Sequence, residues 1–179
     1  MKGLIFTSFL SYVEENFGLE FVDQMIDSVP TKSSGIYTTV GTYNHQELIE
    51  YLIHINKIAE TDIPYMVENF GYFLFGKLCI EYPKLIEQYK NSLDCIYNID
   101  QTIHKNVKKI YSNAELPNMN AQYNDTKDVL TLTYQSNRPF MYLAKGLILG
   151  CIDHYQDDID LTMKDLSNKK LNKALFILK

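Results

Sequence analysis

The chain has little positive charge and no concentrated basic segment. Its 17 lysine and arginine residues are outnumbered by 22 aspartate and glutamate residues, which gives a formal net charge of −5 over 179 residues. The neighbouring Lys169 and Lys170 form only a short run, which is typical of a solvated turn. A protein that neutralises nucleic-acid phosphates needs a basic patch. The sequence therefore argues against nucleic acid as a partner.

Long apolar segments are also missing. No run approaches the roughly 18 to 20 apolar residues of a membrane-spanning helix, and no basic region precedes an apolar segment at the N-terminus. We therefore expect a cytoplasmic protein that does not associate with membranes. Low-complexity segments, repeats and linkers are absent too, and the hydrophobic content is 46%. These features predict one domain with a sizeable core or two intimately packed subdomains, and we expect one continuous core.

Cysteines are few and are not arranged for a shared role. Cys79, Cys95 and Cys151 are odd in number, widely spaced and outside any C-x-x-C pattern. This arrangement argues against a disulfide framework, a thiolate zinc site and covalent attachment of haem. We expect the three cysteines to be free thiols in the core, because free cysteine behaves as a small hydrophobic residue.

Hydrophobic periodicity predicts helices along the first two thirds of the chain. They are expected at residues 4–17, 19–29, 44–58, 64–81, 83–92 and 99–111. Asn44 and Glu47 have the spacing of a capping box, in which the glutamate reaches back to the first residue.

The pattern changes after Asp128. Alternating apolar and polar residues predict a strand there, followed by a helix at 139–155 and short strands at 159–163 and 174–178. The whole chain is therefore predicted to be an α+β protein with a helical N-terminal region and a small, mainly antiparallel sheet.

Three hydrogen-bond donors follow one another on one face of the first predicted strand. Side chains two apart point the same way, so Tyr134, Ser136 and Arg138 continue the apolar face of Leu130 and Leu132. A buried arginine needs an anionic partner, and no acidic residue of this segment lies on that face. A bound anionic ligand is therefore a candidate partner.

One histidine lies beside a long apolar stripe. A helical projection places His104 at the edge of a stripe formed by Ile96, Ile99, Ile103, Val107, Ile110 and Tyr111. A single imidazole in apolar surroundings is a poor zinc site but suits an axial haem ligand. On the pattern alone, the favoured interpretation is that His104 only packs and forms hydrogen bonds, and the haem ligand is the alternative.

The other histidines have weaker signals. His45 belongs to a helix cap region and His54 to the body of a helix. His154 shares a face with apolar residues, but three nearby aspartates favour a role at a helix end or on the surface.

Several segments, taken in order, resemble the haem-nitric oxide/oxygen binding (H-NOX) family, which is related to the sensor domain of soluble guanylate cyclase. Tyr134-x-Ser136-x-Arg138 matches the family's Y-x-S-x-R signature letter for letter. The resemblance covers essentially the whole chain. A three-letter motif would be weak evidence, but the ordered set is specific; the other segments are residues 1–6, 40–43, 70–75, 104–111 and 114–117.

The resemblance implies a non-covalent b-type haem between a helical subdomain, about residues 1–62, and an α/β subdomain, about residues 63–179. His104 would be the axial iron ligand, and Tyr134, Ser136 and Arg138 would hold the haem propionates. In the family, residues corresponding to Ile5 and Pro117 press on the porphyrin and bend it. Both could equally be ordinary packing residues here.

The resemblance also suggests which gas binds. Counting from the family motifs places two distal-pocket positions at Leu143 and Leu74, and both are apolar. Bound oxygen is stabilised by a nearby donor, whereas nitric oxide binds ferrous iron without one. We therefore expect a sensor of nitric oxide, which also binds carbon monoxide and excludes oxygen. A shift of one or two residues could instead bring the hydroxyl of Tyr142 or Tyr72 into the pocket.

The family mechanism implies a switch with an external output. Nitric oxide weakens the iron–His104 bond opposite to it, and the N-terminal helices then shift relative to the rest. Because the chain ends at Lys179, we expect the output in a separate protein, such as a histidine kinase or a cyclic-dinucleotide enzyme. Some relatives carry a C-terminal zinc site, but no cysteine follows Cys151, so no zinc is expected.

Three alternatives remain at this point. An oxygen-binding sensor would need a distal donor, and a haem enzyme of peroxide or oxygen chemistry would need a distal acid or base. Neither residue type stands at Leu143 or Leu74, so no enzymatic activity is expected. A haem-free interaction module is disfavoured because His104 and Arg138 are intact.

Overall fold

The computed structural model describes all residues, 1–179, and contains eight α-helices and four strands. A π-helical segment, Ile99–His104, joins the sixth and seventh helices. The predicted α+β class is confirmed. The helices are α1 (Gly3–Phe17), α2 (Leu19–Ser28), α3 (His45–Ala59), α4 (Ile63–Glu81), α5 (Pro83–Ile86), α6 (Ser92–Tyr97), α7 (Lys105–Ile110) and α8 (Met141–Tyr155). The strands are β1 (Asn118–Tyr123), β2 (Leu130–Ser136), β3 (Leu161–Asp165) and β4 (Asn172–Leu178).

The sheet is fully antiparallel, with the strand order β1-β2-β4-β3. In the two central strands Leu130 lies opposite Leu178, and Leu132 lies opposite Phe176. These four side chains are completely buried on one face. The strict alternation in β2 therefore fixes which face packs against the helices, because a shift of one residue would turn every apolar side chain outwards.

The interior is divided into two apolar cores. The first is built by helices α1 to α4 around residues such as Phe9 and Tyr51, and the second lies between the sheet and α6 and α8. Only half-buried side chains of α8, Tyr142 and Leu147, pack against both cores. The expectation of one continuous core is therefore wrong, because a cavity separates most of the two apolar sets.

Helices α4 and α8 approach each other very closely. Gly71 and Gly146 face each other across the contact, and a Cβ atom added at Gly146 would lie 2.8 Å from the Cα atom of Gly71. An ion pair between Lys145 and Glu68, with an N–O distance of 2.8 Å, closes one side of the contact. This approach holds Leu74 of α4 and Leu143 of α8 on the wall of the same cavity.

Two predicted helices differ from the observed ones. The helix expected at 83–92 ends after one turn at Ile86, and α6 starts separately at Ser92. Asn91 causes this restart, because its side-chain oxygen accepts a hydrogen bond from the backbone N–H of Asp94 at 2.8 Å. The helix expected at 99–111 is α-helical only from Lys105 to Ile110, after the π-helical segment.

Strand β1 has no counterpart in the sequence prediction. Its sequence NMNAQY is mostly polar, and Met119 is its only buried residue. The segment becomes a strand because its whole length pairs with β2. The predicted strand at 159–163 is also displaced, since β3 begins at Leu161.

The predicted capping box is wrong in one half. The side-chain oxygen of Asn44 caps α3 by accepting a hydrogen bond from the N–H of Gln46 at 3.0 Å. Glu47 does not reach back to Asn44. Its carboxylate instead accepts hydrogen bonds from Ser33 and Tyr37 at 3.2 and 2.9 Å.

The three cysteines are free, as expected from their spacing. Cys95 and Cys151 are buried in the second core, and Cys79 is half-buried beside it. Among the helices, none has both the length and the apolar character that crossing a membrane would require.

Candidate functional site

A single large cavity of about 700 Å³ lies between the two cores. Most of its walls are apolar, and its volume is in the range of pockets that enclose a small molecule or cofactor. The apolar stripe predicted beside His104 forms part of the wall. The cavity also brings together all the residues that the sequence singled out as a site: Ile5, Leu74, His104, Pro117, Tyr134, Ser136, Arg138 and Leu143.

His104 enters this cavity from the π-helical segment. The backbone N–H of Ile103 donates to the carbonyl of Asn98, five residues earlier, at 3.3 Å. Such wide turns are rare and are frequent at functional sites. The side chain of His104 is only 13% exposed, and its Nδ1 atom lies 3.2 Å from an Oδ1 atom of Asp100. Because Nδ1 is engaged, Nε2 is the ring nitrogen that remains available to a ligand.

Burial determines the charge of this histidine. Removal from water lowers the pKa of His104 below its ordinary value, and the hydrogen bond that the ring donates to Asp100 opposes this effect only in part. The imidazole is therefore neutral at physiological pH. A neutral imidazole is the form that coordinates a metal.

Tyr134, Ser136 and Arg138 lie where β2 ends and turns towards α8. The strand stops at Ser136, so Arg138 belongs to the turn and not to the strand face on which it was predicted. The turn is fixed locally, because the N–H of Arg138 donates to Oγ of Ser136 at 3.0 Å. The hydroxyl of Tyr134 lies 3.5 Å from the carbonyl oxygen of Arg138. All three side chains remain on the cavity wall.

The guanidinium of Arg138 has a carboxylate partner that the sequence did not reveal. It forms an ion pair with Glu115 and also donates to the backbone oxygen of Glu115 at 3.2 Å. No acidic residue of its own segment reaches Arg138, as predicted, but the loop before β1 supplies one. Arg138 is 16% exposed whereas Glu115 is 80% exposed. An ion pair this exposed contributes little stability, so an acid group inside the cavity could replace Glu115.

The predicted distal positions are apolar in the structure as well. Leu74 and Leu143 are buried in the cavity wall. Tyr72 is exposed and donates to a carboxylate oxygen of Asp153 at 2.6 Å, outside the cavity. Tyr142 is half-buried and does not line the wall. The hydroxyl groups of Tyr72 and Tyr142 therefore both stay outside the cavity.

Tyr82 also lines the cavity and was missed, whereas its neighbour Tyr111 was named only as the last residue of the apolar stripe. The hydroxyls of Tyr82 and Tyr111 are 2.8 Å apart, and burial raises the pKa of Tyr82 above its ordinary value. The ammonium group of Lys2 lies 4.8 Å from the ring centre of Tyr111. Because Tyr82 and Tyr111 are 29 residues apart, no local pattern indicates the pair. Asp100 was also missed, although its spacing of four from His104 was a usable signal.

The remaining histidines do not build a second site. His154 is exposed at the end of α8, as expected, with its ring centre 5.9 Å from that of Phe75. His45 is half-buried near the start of α3, and no role for it follows from its contacts. No three or more His, Cys, Asp or Glu side chains are grouped closely enough to hold a metal ion. The expected lack of zinc stays a prediction.

The chemistry of the cavity suits one kind of ligand. A single available imidazole nitrogen can bind a metal that has its other ligands elsewhere, and the apolar walls suit a large ring. The guanidinium and the two hydroxyls at the rim can donate to acidic groups. A metalloporphyrin with acidic side groups combines these properties.

Comparisons with known proteins agree with this chemistry. A family model described as Haem-NO-binding matches residues 2–163. The crystal structure of the Fe(II) unliganded H-NOX protein from K. algicida is similar, with 31% sequence identity, a TM-score of 0.92 and coverage of 100% of this chain and 96% of that chain. Among curated proteins, none matches this chain.

Two further solved structures share the fold. The solution structure of the IWP-051-bound H-NOX from Shewanella woodyi in the Fe(II)CO ligation state has 32% identity and a TM-score of 0.83, and covers 100% of this chain and 94% of that chain. The H-NOX protein from S. oneidensis in the Fe(II)NO ligation state has 23% identity and a TM-score of 0.92, with coverages of 100% and 98%. The chain therefore belongs to the haem-NO-binding, or H-NOX, family.

Proposed function

We propose that this protein is a cytoplasmic haem-based sensor of nitric oxide that has no enzymatic activity of its own. One observation carries the proposal: His104 and the trio of Tyr134, Ser136 and Arg138 line the same largely apolar cavity. An imidazole and a rim of anion-binding groups are the two polar features that a haem pocket requires.

The proposed cofactor is a non-covalent b-type haem. When bound, it supplies the ferrous iron at which the gas binds. His104 would hold the iron through Nε2, while Arg138, Tyr134 and Ser136 would donate hydrogen bonds to the propionates in place of Glu115. No zinc is part of the proposal.

Two further side chains of the wall would shape the cofactor. Ile5 on α1 and Pro117 before β1 are half-buried and line the cavity. Both are rigid at the atoms nearest the backbone, since a β-branched side chain and a proline ring have few conformations. We propose that they press on the porphyrin and bend it.

The distal wall explains the proposed choice of gas. Leu74 and Leu143 offer no hydrogen-bond donor, whereas bound oxygen accumulates negative charge and is held better by a donor. Nitric oxide and carbon monoxide do not depend on such a donor, and an H-NOX of S. woodyi binds carbon monoxide. Because the distal side chains also lack an acid or base, peroxide chemistry is disfavoured.

The division into two cores suggests how the signal leaves the cavity. Helix α1 contributes Leu4 and Ile5 to the wall and packs in the first core, so a change at His104 can shift the N-terminal helices relative to the sheet. Such a shift would be a change between two states that the gas biases. We propose that a separate protein, such as a histidine kinase or a cyclic-dinucleotide enzyme, recognises it, and that neither nucleic acid nor a membrane is involved.

Absorption spectra of the purified, haem-loaded protein test this function. The reduced protein should have the spectrum of a histidine-ligated ferrous haem, change on addition of nitric oxide, and form no stable oxygen complex in air. His104→Ala should abolish this spectrum, whereas the exposed His154→Ala should leave it unchanged. If His104→Ala retained the parent spectrum, or if the parent held oxygen in air, the assignment of His104 or of the gas would be wrong.

A further inference from the structure

We propose that Asp100 is a positioning residue for His104, and that its carboxylate strengthens the histidine–iron bond and slows its breakage by nitric oxide. The inference deepens the proposed function and rests on it. Asp100 does not line the cavity and would not touch the cofactor. Its action would pass entirely through the histidine ring.

The geometry of the π-helical segment carries the inference. Asp100 lies four residues before His104, and its Oδ1 atom is 3.2 Å from Nδ1 of the ring. This is the only side-chain hydrogen bond that either residue makes. A carboxylate can only accept, so the Nδ1 atom must carry the proton. The lone pair of Nε2 is then left for a metal.

The same hydrogen bond changes the strength of the ligand. A carboxylate that accepts the Nδ1 proton draws positive charge away from the ring and makes Nε2 a stronger electron donor. It also holds the plane of the ring in one orientation. If the proposed gas signal depends on weakening the bond between His104 and the haem iron, Asp100 would set how readily that bond breaks.

The surroundings of Asp100 indicate that removing its carboxylate would affect His104 and not the stability of the fold in general. The side chain of Asp100 is half exposed and forms no bond to another element, so removing it leaves no other buried group unpaired. Lys108, one turn beyond His104 on α7, is a cation near the ring that opposes the charge of Asp100. Asp100 therefore acts on the ring through its charge and through its hydrogen bond. Lys108 can offset the charge, but it cannot offset the hydrogen bond, because that bond depends on the orientation of the two groups.

The test compares Asp100→Asn and Asp100→Ala with the parent protein, each loaded with haem and reduced. Asp125→Asn is the matched control, because it removes one exposed carboxylate from the loop between β1 and β2. Two quantities are measured: the iron–histidine stretching band in resonance Raman spectra, and the rate at which the nitric oxide complex changes from six- to five-coordinate.

Both Asp100 variants should shift the stretching band to lower frequency, Ala more than Asn, because an amide oxygen still accepts but carries no charge. The coordination change should become about tenfold faster in Asp100→Ala, taking the lower end of the range of about 10- to 100-fold by which loss of such partners changes metal affinity or activity. Asp125→Asn should match the parent. The inference is overturned if both Asp100 variants have the same iron–histidine stretching frequency and the same rate of coordination change as Asp125→Asn. This holds even if the unfolding midpoints of the Asp100 variants change.

The parent protein separates this inference from the proposed function. A parent without an iron–histidine band would refute the role of His104 itself. A parent with that band, together with unchanged Asp100 variants, would refute only the role of Asp100. If Asp100→Ala retains no haem, the more conservative Asp100→Asn decides, because it keeps the size of the side chain.

Discussion

Substitution of Gly146 by alanine should push α4 and α8 apart. Because both helices line the cavity, the variant should be less stable and should hold a cofactor in the cavity less tightly. A Cβ atom at this position would overlap the carbonyl oxygen of Glu68 and lie 2.8 Å from the Cα atom of Gly71, whereas ordinary contacts are 3.4–4 Å. Both obstacles are backbone atoms, which no side-chain rotation can move. The two helices would therefore have to separate by roughly 1 Å or more to relieve the overlap with the carbonyl oxygen of Glu68.

The expected loss follows from two opposing effects. Extra atoms in a tight contact cost about 1–3 kcal/mol, and the rigid obstacles place Gly146→Ala in the upper half of that range. Replacement of glycine by alanine inside a helix stabilises the helix by about 0.5–1 kcal/mol. We expect a net loss of about 1–2.5 kcal/mol in the free energy of unfolding, which lowers the urea midpoint by about 0.5–1.25 M for a slope of about 2 kcal/mol per M.

Gly76→Ala is the matched control on the same pair of helices. Gly76 lies on the exposed side of α4, and a Cβ atom there would meet no atom within 4 Å. This variant should be more stable than the parent by about 0.5–1 kcal/mol. Urea unfolding followed by circular dichroism at equal haem content measures both. A midpoint for Gly146→Ala equal to or above that of Gly76→Ala would refute the reasoning. The reasoning would also be refuted if Gly146→Ala transferred its haem to apomyoglobin no faster than the parent protein does.

Two further predictions concern single side chains. Leu143→Tyr should form an oxygen complex that persists in air, measured by its absorption spectrum, because the variant adds a hydrogen-bond donor to the distal wall. Leu143→Phe lacks the hydroxyl and should form no such complex. Equal behaviour of the two variants would contradict the proposed role of Leu143 in excluding oxygen. Burial raises the pKa of Cys79 to about 11 from its ordinary value of 9.0, so alkylation at pH 8 should be at least tenfold slower in the folded than in the urea-unfolded protein. The raised pKa of Cys79 also contributes stability that is complete below about pH 9 and is lost as the pH rises towards 11. The urea midpoint of Cys79→Ala should therefore fall less than that of the parent between pH 9 and pH 11. An equal fall in the two proteins would exclude the effect.

Most elements of the fold follow from local patterns, because periodicity acts within a few residues. The α+β class, the long helices and strand β2 could be read in this way. The alternation that predicts β2 also carries Tyr134 and Ser136 to the cavity, since the face of a strand is set by its period of two. The apolar stripe beside His104 likewise reaches the cavity, although Ile99 and Ile103 of the stripe lie in a π-helix.

Other features depend on which segments meet. Strand β1 has a polar sequence and exists because β2 pairs with it. The break at Asn91 depends on a cap that competes with a continuous helix, and periodicity does not decide between them. Leu74 and Leu143 share the wall of the cavity that divides the interior because α4 and α8 meet so closely, which is a property of Gly71 and Gly146 together.

What the sequence determined by itself is the chemical type of the site: an imidazole beside an apolar stripe, and a Tyr-Ser-Arg trio at the end of a strand. The tertiary structure decided the partners, namely Glu115 for Arg138 and the cavity-lining pair of Tyr82 and Tyr111. It also decided that Leu143, and not the neighbouring Tyr142, faces the cavity. The physical reason is that local periodicity orients a side chain relative to its own element, whereas its surroundings depend on contacts between residues far apart in the chain.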